Sequence, residues 1–258
     1  MNFIDTERLD FELASLKQNY VQQKPFRFIV IDDFFKKDAA ELIYQSYPSI
    51  NQGNWRGITY MNQMNKFELS DFSQLPLWSK FFEELNSNGF IEWLEKLSGI
   101  NEPLIADKSL FGAGLHQSVN DAFLNVHVDY NIHPHTQYHR RLNVLIYMNK
   151  EWKKEYGGYI EFWDFSGNKK SLIESFMPSF NRCLIFETNE ISFHGHPKPL
   201  RLPQNESRKS ISVYYYSKER PKEEIFDEHN TIFKNTEGII GRIRVFKAGA
   251  RAFIERIL

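Results

Sequence analysis

A series of short β-prone segments without helices between them constrains the fold of this chain more than any other feature. Each segment is rich in β-branched and aromatic residues, and turn-forming residues separate it from the next. Strands that follow one another in this way form antiparallel sheets, and a double sheet protects their edges. We therefore predict a sandwich or jelly roll built from residues 122–129, 141–148, 158–163, 182–187, 191–194 and 208–217.

The composition agrees with a sheet-rich globular core. Aromatic residues make up 16% of the 258 residues, and their rings fit the half-buried surface of a sheet well. The net charge of −1 creates no overall field for nucleic acid or an anionic membrane, so such a partner would need a local patch. We expect no nucleic-acid partner.

The region before residue 110 is predicted to be mainly helical support for the sheet. A strand is predicted within residues 25–35, and it ends at the pair Asp32 and Asp33. Apolar residues at helical spacing predict helices over residues 37–47, 76–85 and 90–97, with Gly99 closing the last. We interpret their apolar stripes as core faces, and we expect residues 1–237 to form one domain whose jelly-roll core covers about 110–220. The predicted fold class is mainly β with flanking helices (α+β).

Residues 238–258 are predicted to form a separate, basic amphipathic helix. This helix would dock on its own domain or on a second subunit, or lie on an anionic membrane surface. Docking is the commoner arrangement for such helices, and an oligomer through this helix stays open. The apolar positions are Ile239, Ile243, Phe246, Ala250, Phe253 and Ile257, and the basic ones are Arg242, Lys247, Arg251 and Arg256.

The cellular compartment is inferred from cysteine usage and from the first residues. Cys183 is the only cysteine, so no internal disulfide forms and a reducing cytoplasm is expected. Because Cys183 lies in an apolar run, we predict a buried small hydrophobe rather than a nucleophile. The first ten residues show no basic stretch followed by an apolar run, and no 18-residue apolar segment exists, so we expect an unexported protein without transmembrane segments.

Three residues in two β segments could bind one metal ion. In an extended backbone His127 and Asp129 lie on the same side, and His194 belongs to a later β segment. Two imidazoles and one carboxylate leave coordination positions open, which suits the non-haem Fe(II) oxygenases. Zinc sites more often show a third histidine or several cysteines.

A cosubstrate such as 2-oxoglutarate would also need a cation for its distal carboxylate. The guanidinium of Arg208 can bind a carboxylate through two parallel hydrogen bonds, and Ser210 and Ser212 share its face in an extended strand. Arg201 is less suitable, because the prolines around it indicate a loop. We therefore predict Arg208 and Ser212 as cosubstrate-binding residues.

Seven segments, taken in order, resemble the prolyl 4-hydroxylase-like family of Fe(II)/2-oxoglutarate-dependent oxygenases. The resemblance implies a double-stranded β-helix core in which His127, Asp129 and His194 bind iron and Arg208 binds the cosubstrate. It also implies that the hydroxyl of Tyr147 helps hold that carboxylate, although the residue could equally be a core aromatic. The segments are residues 25–33, 123–129, 140–152, 157–163, 178–187, 192–197 and 208–215.

The same resemblance places the second iron-binding histidine directly before Gly195, at His194. His196 could share its face if the strand continued, but Pro197 makes that continuation doubtful. We therefore predict that His196 is not a ligand.

The reaction implied by the resemblance is hydroxylation of an unactivated C–H bond, coupled to conversion of 2-oxoglutarate and O₂ to succinate and CO₂. Fe(II), 2-oxoglutarate and O₂ are the implied cofactors, and ascorbate is left open as a reductant. Peptidyl proline, a free amino acid, a sugar or another small molecule could be the substrate, and the resemblance favours a peptidyl one. A cupin-like metal enzyme without 2-oxoglutarate and a non-catalytic jelly-roll binding module are the alternatives.

Two further groups of residues have more than one interpretation. His133, His135 and His139 could form a second metal site, but we favour a polar loop that covers the pocket and touches substrate. Gly157 and Gly158 are predicted to form a turn. Four aromatic residues could either line a pocket or fill the core, and these are Trp55, Tyr60, Tyr130 and Trp163.

Overall fold

The computed structural model describes residues 2–167 and 169–257, without the side chains of residues 254–257. The predicted helical positions Arg256, Ile257 and Leu258 therefore lie outside the described side chains. The helices are α1 (Thr6–Gln22), α2 (Lys37–Gln45), α3 (Pro76–Leu85), α4 (Asn88–Ser98) and α5 (Gly238–Ile257).

The described strands belong to one antiparallel sheet that curls into a half-barrel. They are β1 (Phe28–Ile31), β2 (Arg56–Tyr60), β3 (Gln63–Leu69), β4 (Ile105–Ala106), β5 (Gly114–Val128), β6 (His139–Tyr147), β7 (Ile160–Asp164), β8 (Ser171–Phe176), β9 (Arg182–Glu187), β10 (Phe193–His196), β11 (Arg208–Ser217) and β12 (Ile232–Lys234). The main order is β1-β9-β6-β11-β5-β10-β7-β8. β2 joins β5 through β3, while β12 pairs directly with β5 and β4 with β11. This arrangement confirms the predicted mainly β, jelly-roll fold with flanking helices.

The hydrophobic core lies between the helices and the sheet. Trp78, Phe81 and Leu85 of α3 are buried with Leu94 of α4 and Ile146 of β6, as the apolar stripes predicted. Local signals set the helix ends: Pro76 opens α3, the Ser87 side chain accepts a hydrogen bond from an amide of α4, and Gly99 adopts the left-handed conformation that ends it. These helices support the sheet.

Cys183 lies in β9 and is fully buried in the same core. Burial raises the pKa of its thiol well above the ordinary value, so the thiolate is disfavoured at neutral pH. The prediction of a small buried hydrophobe is confirmed.

Several elements differ from the sequence prediction. β5 begins at Gly114 rather than at residue 122, and α1, β2, β3, β8 and β12 were not predicted. β10 continues to His196, so the expected end of this strand at His194 was wrong. Pro197 follows directly after the strand, where it removes no amide from the ladder.

The last helix, α5, packs on the turn between β2 and β3. A Cβ at Gly249 would come within 2.8 Å of the Met61 side chain, so the helix lies close to this turn. This face of the helix therefore contacts its own domain, which is one of the arrangements that the sequence left open. Within the described ranges, no helix is long and apolar enough to cross a membrane.

Candidate active site

A cavity of about 320 Å³ lies inside the half-barrel. β5, β6, β10 and β11 supply most of the lining, and β2, β3, β7 and β12 supply further residues. Gly112, Asp129, Tyr130 and Thr231 line the cavity from outside the strands. All six predicted site residues line it: His127, Asp129, Tyr147, His194, Arg208 and Ser212.

The three predicted metal ligands converge at one end of this cavity. His127 lies near the end of β5, and Asp129 follows that strand directly, so the alternation of side chains puts both on one side. β10 pairs with β5 so that His194 is opposite His127. One ligand atom from each residue lies within 4.8 Å of the others, and the described residues contain no other such group.

Gly195 allows β10 to approach β5 this closely. A Cβ at this position would lie 2.9 Å from the carbonyl oxygens of Leu124 and Asn125, closer than side-chain carbons normally come. The ring centroids of His127 and His194 are 4.4 Å apart as a result of this approach. Any larger residue would push the two histidines apart.

Backbone carbonyls orient both imidazoles. Nδ1 of His127 donates to the carbonyl of Asn125 at 2.8 Å, and Nδ1 of His194 donates to that of Ser192 at 2.9 Å. Each Nε2 therefore faces Asp129 and lies 3.5 to 3.6 Å from one of its carboxylate oxygens. Burial, followed by the neighbouring His127, lowers the pKa of His194 to about 4, so its imidazole is neutral at pH 7.

Asp129 stays ionised because its surroundings outweigh its burial. Burial alone would raise the pKa of this carboxyl, but Arg140 and the two histidines hold it well below its ordinary value. A terminal nitrogen of Arg140 lies 3.3 Å from Oδ2, to which the Asn143 amide donates at 2.7 Å. The Asn143 amide oxygen in turn accepts two hydrogen bonds from Arg140. This network fixes the carboxylate between the imidazoles.

The other predicted cation, Arg208, lies at the start of β11 and is buried. Its Nε donates to the carbonyl of Gly158 at 2.8 Å, and a terminal nitrogen donates to the Tyr147 hydroxyl at 3.0 Å. The sequence left two roles open for Tyr147, a core aromatic and a polar contact beside Arg208. The residue has both features, because its ring belongs to an apolar cluster and its hydroxyl contacts Arg208. These contacts hold the plane of the guanidinium inside the cavity.

Gly157 and Gly158 were predicted to form a turn, but they lie in the irregular segment just before β7, where Gly158 makes room for Arg208. Its φ of +68° is unfavourable for other residues, and a Cβ there would lie 2.4 Å from Leu200 and 3.0 Å from the Arg208 side chain. Glycine thus lets the carbonyl reach the guanidinium.

The remaining predicted residues take different positions. Ser212 lines the cavity, but its hydroxyl is 3.1 Å from Nδ1 of His116 rather than on Arg208. His196 also lines the cavity but does not belong to the three-ligand group. Arg201 is exposed in a loop. The predicted preferences for His194 and Arg208 agree with this geometry.

The histidine-rich loop does not cover the cavity, so this prediction was wrong. None of His133, His135 and His139 lines it. His133 is buried, with Nδ1 accepting from two loop amides and Nε2 3.4 Å from Asp107, because the loop folds back on its own residues and on Tyr216. Of the four aromatic residues with two interpretations, Tyr60 and Tyr130 line the cavity, whereas Trp55 and Trp163 do not.

Sequence reasoning missed a group of lining residues on β2, β3 and β12. Lys66 is half-buried, and burial lowers the pKa of its amine. Phe233 packs against His127, with ring centroids 5.3 Å apart, and against Tyr60 at 6.1 Å. The sequence did contain a signal for β3, because the charged residues Lys66 and Glu68 alternate with apolar residues within 63–69. For β12, only three residues long, the sequence offers no comparable pattern.

A jelly roll in which two histidines and a carboxylate meet beside a buried arginine defines the class of non-haem oxygenase folds. Residues 113–216 match the sequence model of the 2OG-Fe(II) oxygenase superfamily. Residues 113–216 are therefore similar to this superfamily, whose cofactors are Fe(II) and 2-oxoglutarate, and this match confirms the predicted resemblance.

Related sequences and structures agree with this assignment. Prolyl 3-hydroxylase OGFOD1 of Mus musculus is 27% identical over 198 residues, which cover 74% of this chain and 33% of the mouse protein. OGFOD1 of Xenopus laevis is 30% identical over 86 residues, covering 32% of this chain and 16% of that protein. The chain spans a third or less of these curated relatives.

Solved prolyl hydroxylases share the fold. A prolyl 4-hydroxylase from Phytophthora capsici superposes with a TM-score of 0.59 at 18% identity, covering 93% of this chain and 76% of that one. A prolyl hydroxylase from Trichoplax adhaerens, in complex with a hypoxia-inducible-factor oxygen degradation domain peptide, gives 0.58 at 16% identity, covering 83% and 94%. At these identities the likeness concerns the fold alone.

Proposed function

We propose that this protein is an Fe(II)- and 2-oxoglutarate-dependent dioxygenase that hydroxylates a prolyl residue of a peptide or protein. The observation that carries the proposal is the convergence of His127, Asp129 and His194 in the same cavity as Arg208. The names of the sequence relatives and the peptide complex of the Trichoplax adhaerens enzyme support a prolyl substrate.

The three proposed ligands suit ferrous iron. Both histidines turn Nδ1 to a backbone carbonyl and Nε2 towards Asp129, which is ionised, so the donor set suits a divalent cation. Three ligands leave coordination positions for cosubstrate and O₂. Bound iron would supply the oxidising chemistry, in which the two atoms of O₂ end in succinate and in the new hydroxyl group while CO₂ leaves.

Arg208 and Tyr147 are proposed to bind the distal carboxylate of 2-oxoglutarate. Both are buried, so a carboxylate that reaches them loses its water and depends on their hydrogen bonds. Ser212 is proposed as a further polar contact, with its hydroxyl shared between cosubstrate and His116. The proposed arrangement orients the cosubstrate between the arginine and the metal ligands.

The size of the cavity limits what part of a substrate enters. About 320 Å³ is near the lower end for small-molecule sites, which leaves room for little more than one ring beside the cosubstrate. Tyr60 and Phe233 line the same cavity, and their rings would pack against the carbons of a prolyl ring.

The experiment loads the protein with Fe(II) and 2-oxoglutarate without oxygen and then adds air with a panel of prolyl peptides. We expect a weak visible charge-transfer band, succinate release, and a mass gain of one oxygen atom in a peptide. The control peptides carry alanine in place of proline. A folded, iron-loaded sample with neither the band nor succinate would rule out the oxygenase, and the alternatives without 2-oxoglutarate would then apply.

A further inference from the structure

Helix α5 has two different faces, and only one of them contacts the domain. Gly241 and Ala248 are buried against it, and Gly249 lies beside Met61. Arg244 belongs to this side as well, because it pairs with Glu237 at 2.8 Å and donates to the carbonyl of Pro197. These contacts hold the helix in a defined orientation.

The opposite face is apolar and exposed to solvent. Exposed fractions are 75% for Ile239, 51% for Ile243, 77% for Phe246 and 67% for Phe253. At about 100° per residue these four side chains lie within an arc of roughly 80°. Since the helix rises about 1.5 Å per residue, they form a continuous strip roughly 21 Å long. Isolated exposed apolar residues are common, but a continuous strip indicates a binding surface.

Basic residues border this strip on both sides. On the helical projection Arg242 lies on one side, and Lys247 and Arg251 lie on the other. Residues 238–257 contain five basic residues and one acidic residue, Glu255, although the whole chain has a net charge of −1. The positive charge is therefore a local property of this helix, and three of its cations, Arg242, Lys247 and Arg251, border the exposed strip.

This pattern favours a lipid surface over a second copy of the chain. A twofold copy would bring the same rows of cations towards each other, which costs free energy. The strip also offers far fewer side chains than the roughly 20–30 residues that each partner contributes to a stable interface. Anionic headgroups complement the flanking cations, and the boundary between headgroups and acyl chains accepts isoleucine and phenylalanine side chains.

We propose that the outer face of α5 binds the surface of an anionic membrane. The apolar strip lies in the boundary region, and the flanking arginine and lysine side chains contact lipid phosphates. α5 follows β12, which lines the cavity, so the protein would bind the membrane through a segment continuous with its active site. The inference depends on the helix alone and not on the proposed reaction.

The experiment measures sedimentation of the full chain with vesicles of phosphatidylcholine, with and without phosphatidylserine. We expect binding to the anionic vesicles that weakens as salt increases, and little binding to the neutral ones. The double variant Phe246→Asp/Phe253→Asp should lower the partition coefficient at least about tenfold, because two phenylalanine side chains of the strip no longer enter the boundary region. Both side chains are exposed, and circular dichroism would verify the fold.

The matched control is Phe11→Asp, which changes a phenylalanine on α1 that is 90% exposed. This variant should bind anionic vesicles like the unmodified chain. The proposal is overturned if the unmodified chain does not bind phosphatidylserine vesicles, or if the double variant binds them equally well. It is also overturned if sedimentation velocity without lipid reveals a dimer that the double variant abolishes, since a second copy then occupies the strip.

Discussion

The two walls of the cavity differ in how firmly the fold holds them. We define the inner wall as the lining residues on β5, β6, β10 and β11, with Asp129 directly after β5, and the outer wall as those on β2, β3 and β12. Each inner-wall strand is bonded to strands on both sides, whereas β2 and β12 each pair with one strand. In the inner wall Asp129 accepts from Asn143 and Arg208 donates to Tyr147. In the outer wall Tyr60 and Phe233 are partly exposed.

This difference indicates a division of labour. Groups that must hold a metal ion and a dianion need fixed geometry, and strands within a sheet supply it. Groups that meet a variable substrate can lie on edge elements, where changes cost less stability. We therefore expect substitutions in the inner wall to remove binding of metal or cosubstrate, and those in the outer wall to alter substrate affinity.

The largest effect is expected at the metal end of the inner wall. His194→Ala should abolish the visible band of the ferrous protein with 2-oxoglutarate, because one of three ligands is lost. His196→Ala should retain the band, since this neighbouring histidine lies outside the three-ligand group. After circular dichroism has verified the fold, anaerobic titration with Fe(II) in the presence of 2-oxoglutarate measures the band of both variants. A greater loss in His196→Ala would contradict the assigned ligand.

At the cosubstrate end, Arg208→Ala should raise the dissociation constant of 2-oxoglutarate about thirtyfold or more. Loss of a buried charged partner costs about 2–5 kcal/mol, and each 1.4 kcal/mol is tenfold in affinity. The control Arg201→Ala removes an exposed arginine and should cost under about 1 kcal/mol. Titration of 2-oxoglutarate into each ferrous variant gives both constants, and the reverse order would mean that Arg201 is the binding residue.

The outer wall should respond differently. Phe233→Ala removes a ring beside the metal end, and we expect the KM of a prolyl peptide to rise about tenfold, because part of its apolar contact is lost. The dissociation constant of 2-oxoglutarate should change less than about twofold. The matched control is Phe226→Ala, at an exposed phenylalanine that does not line this cavity. An equal loss of cosubstrate binding in Phe233→Ala would remove the distinction between the walls.

The smallest effect concerns the pH dependence of stability. Burial, with Lys66 and Arg208 nearby, lowers the pKa of His116 well below its ordinary value. Below about pH 6.5 the unfolded chain therefore binds a proton that the folded metal-free protein excludes, so stability falls as pH decreases. His116→Gln should make this fall shallower, by at most about 1.4 kcal/mol per pH unit. Urea unfolding of both metal-free proteins between pH 7 and 5 tests this expectation. If the free energy of unfolding depends on pH equally in the variant and in the unmodified chain, the expectation is refuted.

The inner wall could be predicted from sequence because its information is local. The alternation that puts His127 and Asp129 on one side of a strand is a property of the backbone, and Arg208 begins a clear β segment. The end of β10 was predicted wrongly, because a proline after a strand interrupts pairing only if its amide would have been needed.

The outer wall, and the residues that hold the inner-wall side chains in place, depend on contacts between residues that are far apart in the sequence. In the sequence Arg140 and Arg141 look alike, yet only Arg140 lies beside Asp129, whereas Arg141 pairs with Glu102. The pairing of His133 with Asp107 could not be predicted either, because Asp107 precedes His133 by 26 residues and comes close only in the folded chain. Such pairings come from the sheet register, which a local pattern does not contain.

The burial of Cys183 makes the natural chain suitable for site-specific labelling. Thiol reagents react with exposed thiolates, and the only cysteine of the sequence offers neither exposure nor an accessible negative charge. A cysteine introduced at an exposed position, such as Phe246→Cys on α5, would thus be the sole reactive site without any further substitution. An environment-sensitive fluorophore attached there would report directly whether this helix leaves water when vesicles are added.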